Sequence, residues 1–401
     1  MNYWNLLQRY PGFLMFGFLA TFASSFGQTF FISLFVDDII KVHSLSYGEF
    51  GTIYALTTAL GGVFLMRLGK KLDIVPLRQF AHFVVLGLAF SAAIMASSSH
   101  FLGLLIALFG LRLFGQGLMG HMAITSMGRY FDKLRGRAVA FSGIGFPAAE
   151  IIFPSIALFL LLHLGFTQTW WVFTAVLLLV FWPLLVFLQS RHPKVSVAED
   201  DPEAVEDLPA LLRQRDLIRD PRFLGILPAM LALPFVITGV LINQLWFAGE
   251  RSWAIEVIAL GIAAFSVSRV ATSIIAGSWV DKLGSKKLIG VNILPVALGL
   301  IVLAYVESYW GWYVFLLLSG FAAGFNSAIS GTLWAEIYGT RSLGTVRALY
   351  HALMVFATAV SPMLYGFLID LEVPMHLWLM GTVVALILAW FAARTAVAKT
   401  A

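Results

Sequence analysis

The chain has 401 residues, of which 60% are hydrophobic and only 12% are charged, about half the charged fraction of an ordinary soluble domain. That much apolar surface excludes a water-soluble fold, and the absence of cysteine excludes disulfide frameworks, thiolate nucleophiles and cysteine-based zinc sites. The formal charge of +5 becomes informative in a membrane only through where the Lys and Arg residues fall.

Apolar runs of about twenty residues, each long enough to cross a hydrocarbon layer of ~30 Å as helix, recur from Phe13 to Phe391. The first continues through Val36, far beyond the roughly 7 to 15 residues of a secretory h-region, so it reads as a retained span. Twelve spans are predicted, at approximately 11–36, 47–66, 76–97, 100–127, 138–163, 169–189, 223–248, 255–280, 286–306, 310–335, 344–369 and 375–393. Residues 191–222 form the one long polar stretch. Its portion from Ala198 to Asp207 is acidic and reads as a cytoplasmic linker, and Leu208 to Ile218 has the spacing of an interfacial helix. The expected fold class is an all-α polytopic membrane protein, with a six-helix bundle over 1–190, the linker over 191–222 and a second six-helix bundle over 223–401.

All but four of the 26 basic residues fall on one side of this topology. Lys41 and Arg251 lie in loops of the other side, and Arg112 and Arg269 fall inside spans. The positive-inside rule therefore predicts both termini in the cytoplasm. The halves also echo one another. Gly69 and Asp73 follow the second span, and Gly277 and Asp281 follow the eighth at the same offset of 208 residues. The basic loops Arg129 to Arg137 and Tyr338 to Arg347 each join the fourth and fifth spans of a half, so the halves read as repeats.

The segment carrying Gly277, Asp281, Gly284, Lys286 and Lys287 resembles the signature loop of the major facilitator superfamily, with a partial copy at Gly69, Asp73 and Arg78 in which Pro76 replaces a glycine. A carboxylate at a helix end can bond a neighbouring helix N-terminus and pair with Arg, bracing one state of a rocking protein. Gating is accordingly expected of Asp73, Arg78, Arg135, Asp281, Lys286, Lys287 and Arg341. Tyr130, Phe131, Asp132, Lys133, Arg135, Ala138, Gly143 and Gly145 are similar to the fifth-helix signature of monocarboxylate and oxalate/formate transporters. Gly143, Gly145 and Ala148 also spell a dinucleotide-like string, but no strand precedes them, and Gly62 to Lys70 has the wrong spacing for a phosphate loop. No ATP-driven engine, cofactor site or metal cluster is expected, and neither is an enzyme.

Ionised side chains at the bilayer centre cost several kcal/mol or more unless they meet a partner or a cavity, which singles out Arg112, Glu150 and Arg269. By helical rise, Arg112 lies about 24 Å and Glu150 about 18 Å from the inner ends of spans four and five. Those depths allow a pair between them, either exchangeable at the substrate or permanently structural. Arg269 has no acid at its depth in its own helix. Resemblance to oxalate/formate exchangers implies that an eighth-helix Arg holds substrate carboxylate, while pairing with Glu336 or with carbonyls is the alternative. Gln28, Asn243, Gln244, Asn326 and Tyr350 are further substrate candidates, against plain interhelical bonding. Glu150, His351 and His121 are candidate proton carriers. Asp37 and Asp38 end the first span, and Glu49 and Glu256 begin the second and eighth, where the helix dipole favours a carboxylate.

The expected function is secondary active transport of a small organic anion, such as a carboxylate, across the cell inner membrane by alternating access, with protons as coupling ion or by exchange. The expected partners are that solute, protons and the lipid bilayer, with no nucleic acid, and the chain is expected to act as a monomer. Efflux of a hydrophobic or drug-like compound, and a non-transporting receptor or scaffold, are the alternatives.

Overall fold

The computed structural model describes residues 8–131, 135–191, 213–339 and 343–398. Among these every regular element is helical, as hydrocarbon requires of a backbone with no water to bond. The first span, α1, is a bent pair, Pro11–Gly27 and Thr29–His43, with 46° between its limbs. It is followed by α2 (Tyr47–Leu72), α3 (Leu77–Ser97), α4 (Phe101–Tyr130), α5 (Arg137–Leu164) and α6 (Phe166–Gln189). The second half contains α7 (Pro221–Ile242), α8 (Ile255–Leu283), α9 (Leu294–Tyr305), α10 (Trp310–Tyr338), α11 (Thr345–Asp370) and α12 (Met375–Ala398).

Ten of these helices among the described residues are long and apolar enough to cross a membrane, and the bent pair α1 makes an eleventh; α1 and the short α9 differ from their predicted form. The first does not end at Val36: Val36–His43 carries the helix on through Asp37 and Asp38, because Phe35 to His43 alternates apolar and polar faces at the membrane edge. The ninth is helical only over its last twelve residues. Before it, a single turn Ser285–Leu288 leads into an irregular stretch in which Asn292 Nδ2 bonds Asn326 Oδ1 at 3.1 Å and the Ala229 carbonyl at 3.4 Å. A buried amide that reaches two neighbouring spans replaces the helical bonds lost there. Most of the proposed linker, 192–212, lies outside the described residues. Of the predicted interfacial helix, Gln214–Leu217 forms one turn.

The repeat is visible in how each half grips the loop after its second helix. In the first half, His121 and Arg129 of α4 reach the carbonyls of Gly69 (3.3 Å) and Leu72 (2.9 Å). In the second, Glu336 of α10 accepts the Ser285 N–H at 2.9 Å while Thr332 bonds the Ser285 hydroxyl. The fourth helix of each half therefore fixes the turn that follows the second.

Call the face bearing the ends of the chain the termini face, and its opposite the distal face. The halves meet most closely toward the distal face. A Cβ on Gly51 of α2 would stand 2.6 Å from the Pro362 carbonyl of α11, and one on Gly48 would strike Phe367 and Asp370. Only small residues permit such an approach of two helices in lipid. Toward the termini face, Cβ atoms built on Gly128, Gly143 and Gly277 would meet nothing within 4 Å. The seam is closed distally, where α2 packs directly on α11.

Candidate functional site

α1 breaks near mid-depth, and the α7 region breaks closer to the distal face. Gln28 is extended (φ −78°, ψ 154°) between the 3-10 turn Ser24–Gly27 and the restart at Thr29. Asn243 interrupts the α7 chain before Gln244–Glu250. Such breaks free carbonyls that need donors. Asn243 Nδ2 turns back to the Gly239 carbonyl at 2.8 Å, and Gln244 Nε2 crosses to Ser33 Oγ of α1 at 2.7 Å.

At the α1 break the donor is Arg112. It sits in a π-helical stretch of α4, Leu111–Met119, where the wider turn and Gly115 let the α1 backbone come close: a Cβ on Gly115 would lie 2.7 Å from Gly27 Cα. Arg112 Nη1 donates to the Gly27 carbonyl at 3.0 Å and to Thr29 Oγ1 at 3.5 Å, and Nε donates to Thr58 Oγ1 at 3.0 Å. The guanidinium lies 4.8 Å from the centroid of the Tyr54 ring, whose hydroxyl is 2.9 Å from Thr29 Oγ1. Arg112 is 3% exposed and has no carboxylate partner among the described residues. Carbonyl, hydroxyls and an aromatic face supply the negative potential instead.

The expected pairing of Arg112 with Glu150 does not form. Glu150 binds Arg269, its Oε2 accepting Nη2 at 2.7 Å and also bonding the Ser266 hydroxyl. The missing acid of Arg269 is therefore in the other half. Helical rise compares depths but not azimuths, and α5 turns its Glu150 face toward α8. Both residues lie about 20 Å along their helices from either end, at mid-depth. The contact is single-pronged. Among the described residues, Glu150 Oε1 and the other guanidinium nitrogens of Arg269 have no protein partner, and the side chains are 13% and 27% exposed.

The pair stands between two spaces. A cavity of about 740 Å³ extends from it toward the termini face along α5, α8 and α10, lined by Phe141, Ile144, Phe146, Val270, Ile274, Ser273 and Ser327 among others. A smaller pocket of about 150 Å³ lies on its distal side, lined by Gln28, Thr29, Phe30, Ile237, Thr238, Leu241, Ile262 and Phe265. Gln28 touches both spaces, and Thr29 connects the small pocket to Arg112.

Of the other predicted residues, Tyr350 is buried and donates to the Met230 carbonyl at 3.3 Å, and Asn326 is held by Asn292. Gln244, Tyr350 and Asn326 thus serve contacts between helices, Asn243 bonds back within α7, and none of the four lines either space. His121 bonds Gly69, and the His351 ring lies tilted beside that of Tyr350 at 5.4 Å. On the termini face Arg78 and Asp281 are exposed, and Lys286 and Lys287 belong to the turn Ser285–Leu288 after Gly284 (φ +79°). The carboxylate that braces that turn is Glu336. The side chains of Asp73 and Arg135, the whole of Arg341, and Asp132 and Lys133 lie outside the described residues.

Three contacts were missed from the sequence. At the distal end of α11, Asp370 accepts the N–H groups of Tyr47 (3.0 Å) and Gly48 (2.8 Å), the first turn of α2 in the other half. Tyr47 also donates its hydroxyl to Asp37 at 3.1 Å. An acid ending a span opposite a helix start was the available signal, but Ser46 and Glu49 already form a capping box there. On the termini face Asp220 caps α7, accepting Arg222 N at 2.8 Å and the Tyr338 hydroxyl at 3.0 Å. Burial would raise its carboxyl, but the Arg222 and Tyr338 hydrogen bonds outweigh it and hold the group below the usual range. Finally, Ser266 one turn from Arg269 shares Glu150.

Apolar spans along the whole chain, a seam sealed on the distal face, and an ion pair joining the halves between two cavities fit a membrane transporter. The chain belongs to the Major Facilitator Superfamily, whose model matches residues 16–247 and 230–400. A bacterial homologue of the human lysosomal transporter Spinster, in an inward-facing and occupied conformation, superposes with a TM-score of 0.73 at 16% identity, over 97% of this chain and 96% of that one. The same homologue, inward-facing and unoccupied, gives 0.65 at 16% identity over 97% and 93%. The nucleoside transporter NupG gives 0.68 at 12% identity over 99% of each chain. At these identities the likeness is one of fold. No curated protein matches the chain by sequence.

Proposed function

We propose that the chain moves an organic anion across the cell inner membrane by alternating access, with the Glu150–Arg269 pair as the point of exchange. The observation that supports this most is the single-pronged pair: it joins the halves at mid-depth and leaves guanidinium N–H groups facing the cavities. An anion entering the larger cavity takes Arg269, for which the planar guanidinium is suited. Glu150, left without its cation, is the group this reading assigns to carry the coupled proton. The groups facing it are Arg269 and Ser266 of α8, Gln28 of α1 and Thr238 of α7, with Arg112 one hydroxyl removed behind Thr29. Releasing the pair unfastens the two halves at mid-depth, which couples binding to rocking.

The concentration of basic residues on the termini face supports a cytoplasmic placement of both ends, so the larger cavity faces the cytoplasm. Bundles over 1–190 and 223–401, joined by 191–222, supply the rocking bodies. The loops bearing Asp73, Arg78, Arg135, Asp281, Lys286, Lys287 and Arg341 close the termini face in the opposite state.

A thermal-stability titration of the purified protein against a panel of carboxylates across pH tests this, since a ligand of the folded state shifts melting with concentration. A carboxylate should stabilise the wild type and not Arg269→Ala. In Glu150→Gln it should stabilise without pH dependence. Equal shifts in wild type and Arg269→Ala, or shifts from cationic compounds alone, overturn the proposal; Arg269→Lys controls for folding, because it keeps a counter-charge for Glu150.

A further inference from the structure

Resting on the organic-anion reading, we infer that this site selects monoanions with a bulky apolar body, the charged group on Arg269 and the body along α5 and α8, and discriminates against dianions. The chain carries two mid-membrane arginines, and two cations in one cavity would suit a dicarboxylate. Only one of them is available. Arg112 is 3% exposed and committed to the Gly27 carbonyl, Thr58, Thr29 and the Tyr54 ring. The Arg269 side chain is 27% exposed and lines both spaces.

The walls agree with the charge count. From Arg269 toward the termini face the larger cavity is bounded by Phe141, Ile144, Phe146, Val270 and Ile274, and among the described residues its lining includes no Lys and no second Arg. A volume of about 740 Å³ falls in the range of sites that hold drug-sized ligands. Beyond the pair, the 150 Å³ pocket has room for a small polar group, with Gln28, Thr29 and Thr238 as its polar lining. The anionic group therefore leads and the apolar body trails.

Charge balance gives the same answer. Empty, the pair sums to zero. With a monoanion on Arg269 and the proton from the termini-side solution on Glu150, the sum is again zero. A dianion under the same protonation leaves one negative charge uncompensated at mid-depth, which hydrocarbon surroundings disfavour strongly.

The test compares two probes of equal heavy-atom number, 4-phenylbutyrate and the dicarboxylate suberate, by stability shift and equilibrium dialysis on the full-length protein. 4-Phenylbutylamine and 4-phenylbutanol serve as charge controls. 4-Phenylbutyrate should bind at least about tenfold more tightly than suberate. Ser327→Lys, at an exposed position of the cavity wall, supplies a second cation and should narrow or invert that ratio. Suberate binding as tightly as 4-phenylbutyrate to the wild type, or a ratio unmoved in a Ser327→Lys protein that folds, overturns the monoanion inference while leaving anion transport standing. Binding of the amine or the alcohol in preference to both acids overturns the anion reading itself.

Discussion

Asp370→Ala tests whether the distal face is held shut by one carboxylate. The side chain accepts two backbone N–H groups from the start of α2, at 3.0 and 2.8 Å, a charge-assisted cap placed at the positive end of the helix dipole. Two such bonds and the dipole together are worth about 2 kcal/mol at a half-exposed helix end. The contact joins the halves, so it exists only while the distal face is closed, and its loss acts on the population of that state. About 2 kcal/mol is a factor of ~30, so a closed state favoured about a hundredfold would be favoured only about threefold. The chain has no cysteine, which lets Ser99→Cys and Ser308→Cys, in exposed distal loops of the two halves, carry a spin-label pair without further changes. Asp370→Ala should add a longer-distance population, and Asp370→Asn, which keeps an acceptor but not the charge, should fall between. An unchanged distance distribution in a well-folded Asp370→Ala protein would refute the latch.

Gly115→Ala places a Cβ 2.7 Å from Gly27 Cα; backbone cannot swing aside, so melting should fall by the equivalent of ~1–3 kcal/mol, and a wild-type melting curve would show that α1 and α4 do not approach so closely. Asp220→Ala removes the α7 cap and should cost about 1 kcal/mol at neutral pH. Because the Asp220 carboxyl is held below its ordinary value, its contribution is present above about pH 4 and is lost as pH falls through the lower folded value, so the gap from wild type should close in acid. A gap that widened in acid would contradict the assigned bonds. Arg112→Lys keeps the charge but loses the fork that reaches Thr58 and Gly27 together. It should destabilise by ~2 kcal/mol and leave affinity for an anionic probe within about twofold, measured by the same titration; a selective loss of affinity would place Arg112 in the site.

What sequence could reveal was whatever depends on depth along the membrane normal. Hydropathy located the spans, the repeated Gly and Asp spacing exposed the two halves, and a carboxylate and two arginines were found where hydrocarbon makes them costly. What depends on azimuth and on breaks was hidden. Glu150 and Arg112 lie on adjacent spans at reachable depths, yet α5 faces α8, and only packing decides that. The α1 break at Gln28 was not visible because Ser24 to Thr29 contains no proline and lies within a long apolar run; without the break, the Gly27 carbonyl could not be recognised as the partner of Arg112. The Gly-rich contact of α2 with α11 was likewise illegible, since Gly48 and Gly51 read as ordinary small residues until Asp370 and Pro362 stand against them.

The two mid-membrane arginines show how a charge can be kept in hydrocarbon in two ways that serve different ends. Arg112 meets only neutral groups from its own half, namely a carbonyl, two hydroxyls and a ring. None of these can be titrated away at physiological pH, and none gains from leaving. All of these contacts lie within one half, so rocking of the halves need not break them, and they fix the bend of α1 that roofs the small pocket. Arg269 meets one carboxylate from the opposite half by a single prong. In the proposed cycle that partner would be replaced by another anion, and the half that carries it would then move. Removing one member of a buried pair is costly unless something compensates the other, so under the proposed mechanism the pair would yield only when anion and proton arrive together. The same penalty that makes an unpaired charge rare in a membrane is thereby what would forbid the empty, unprotonated protein from opening, and so would tie each transport cycle to its load.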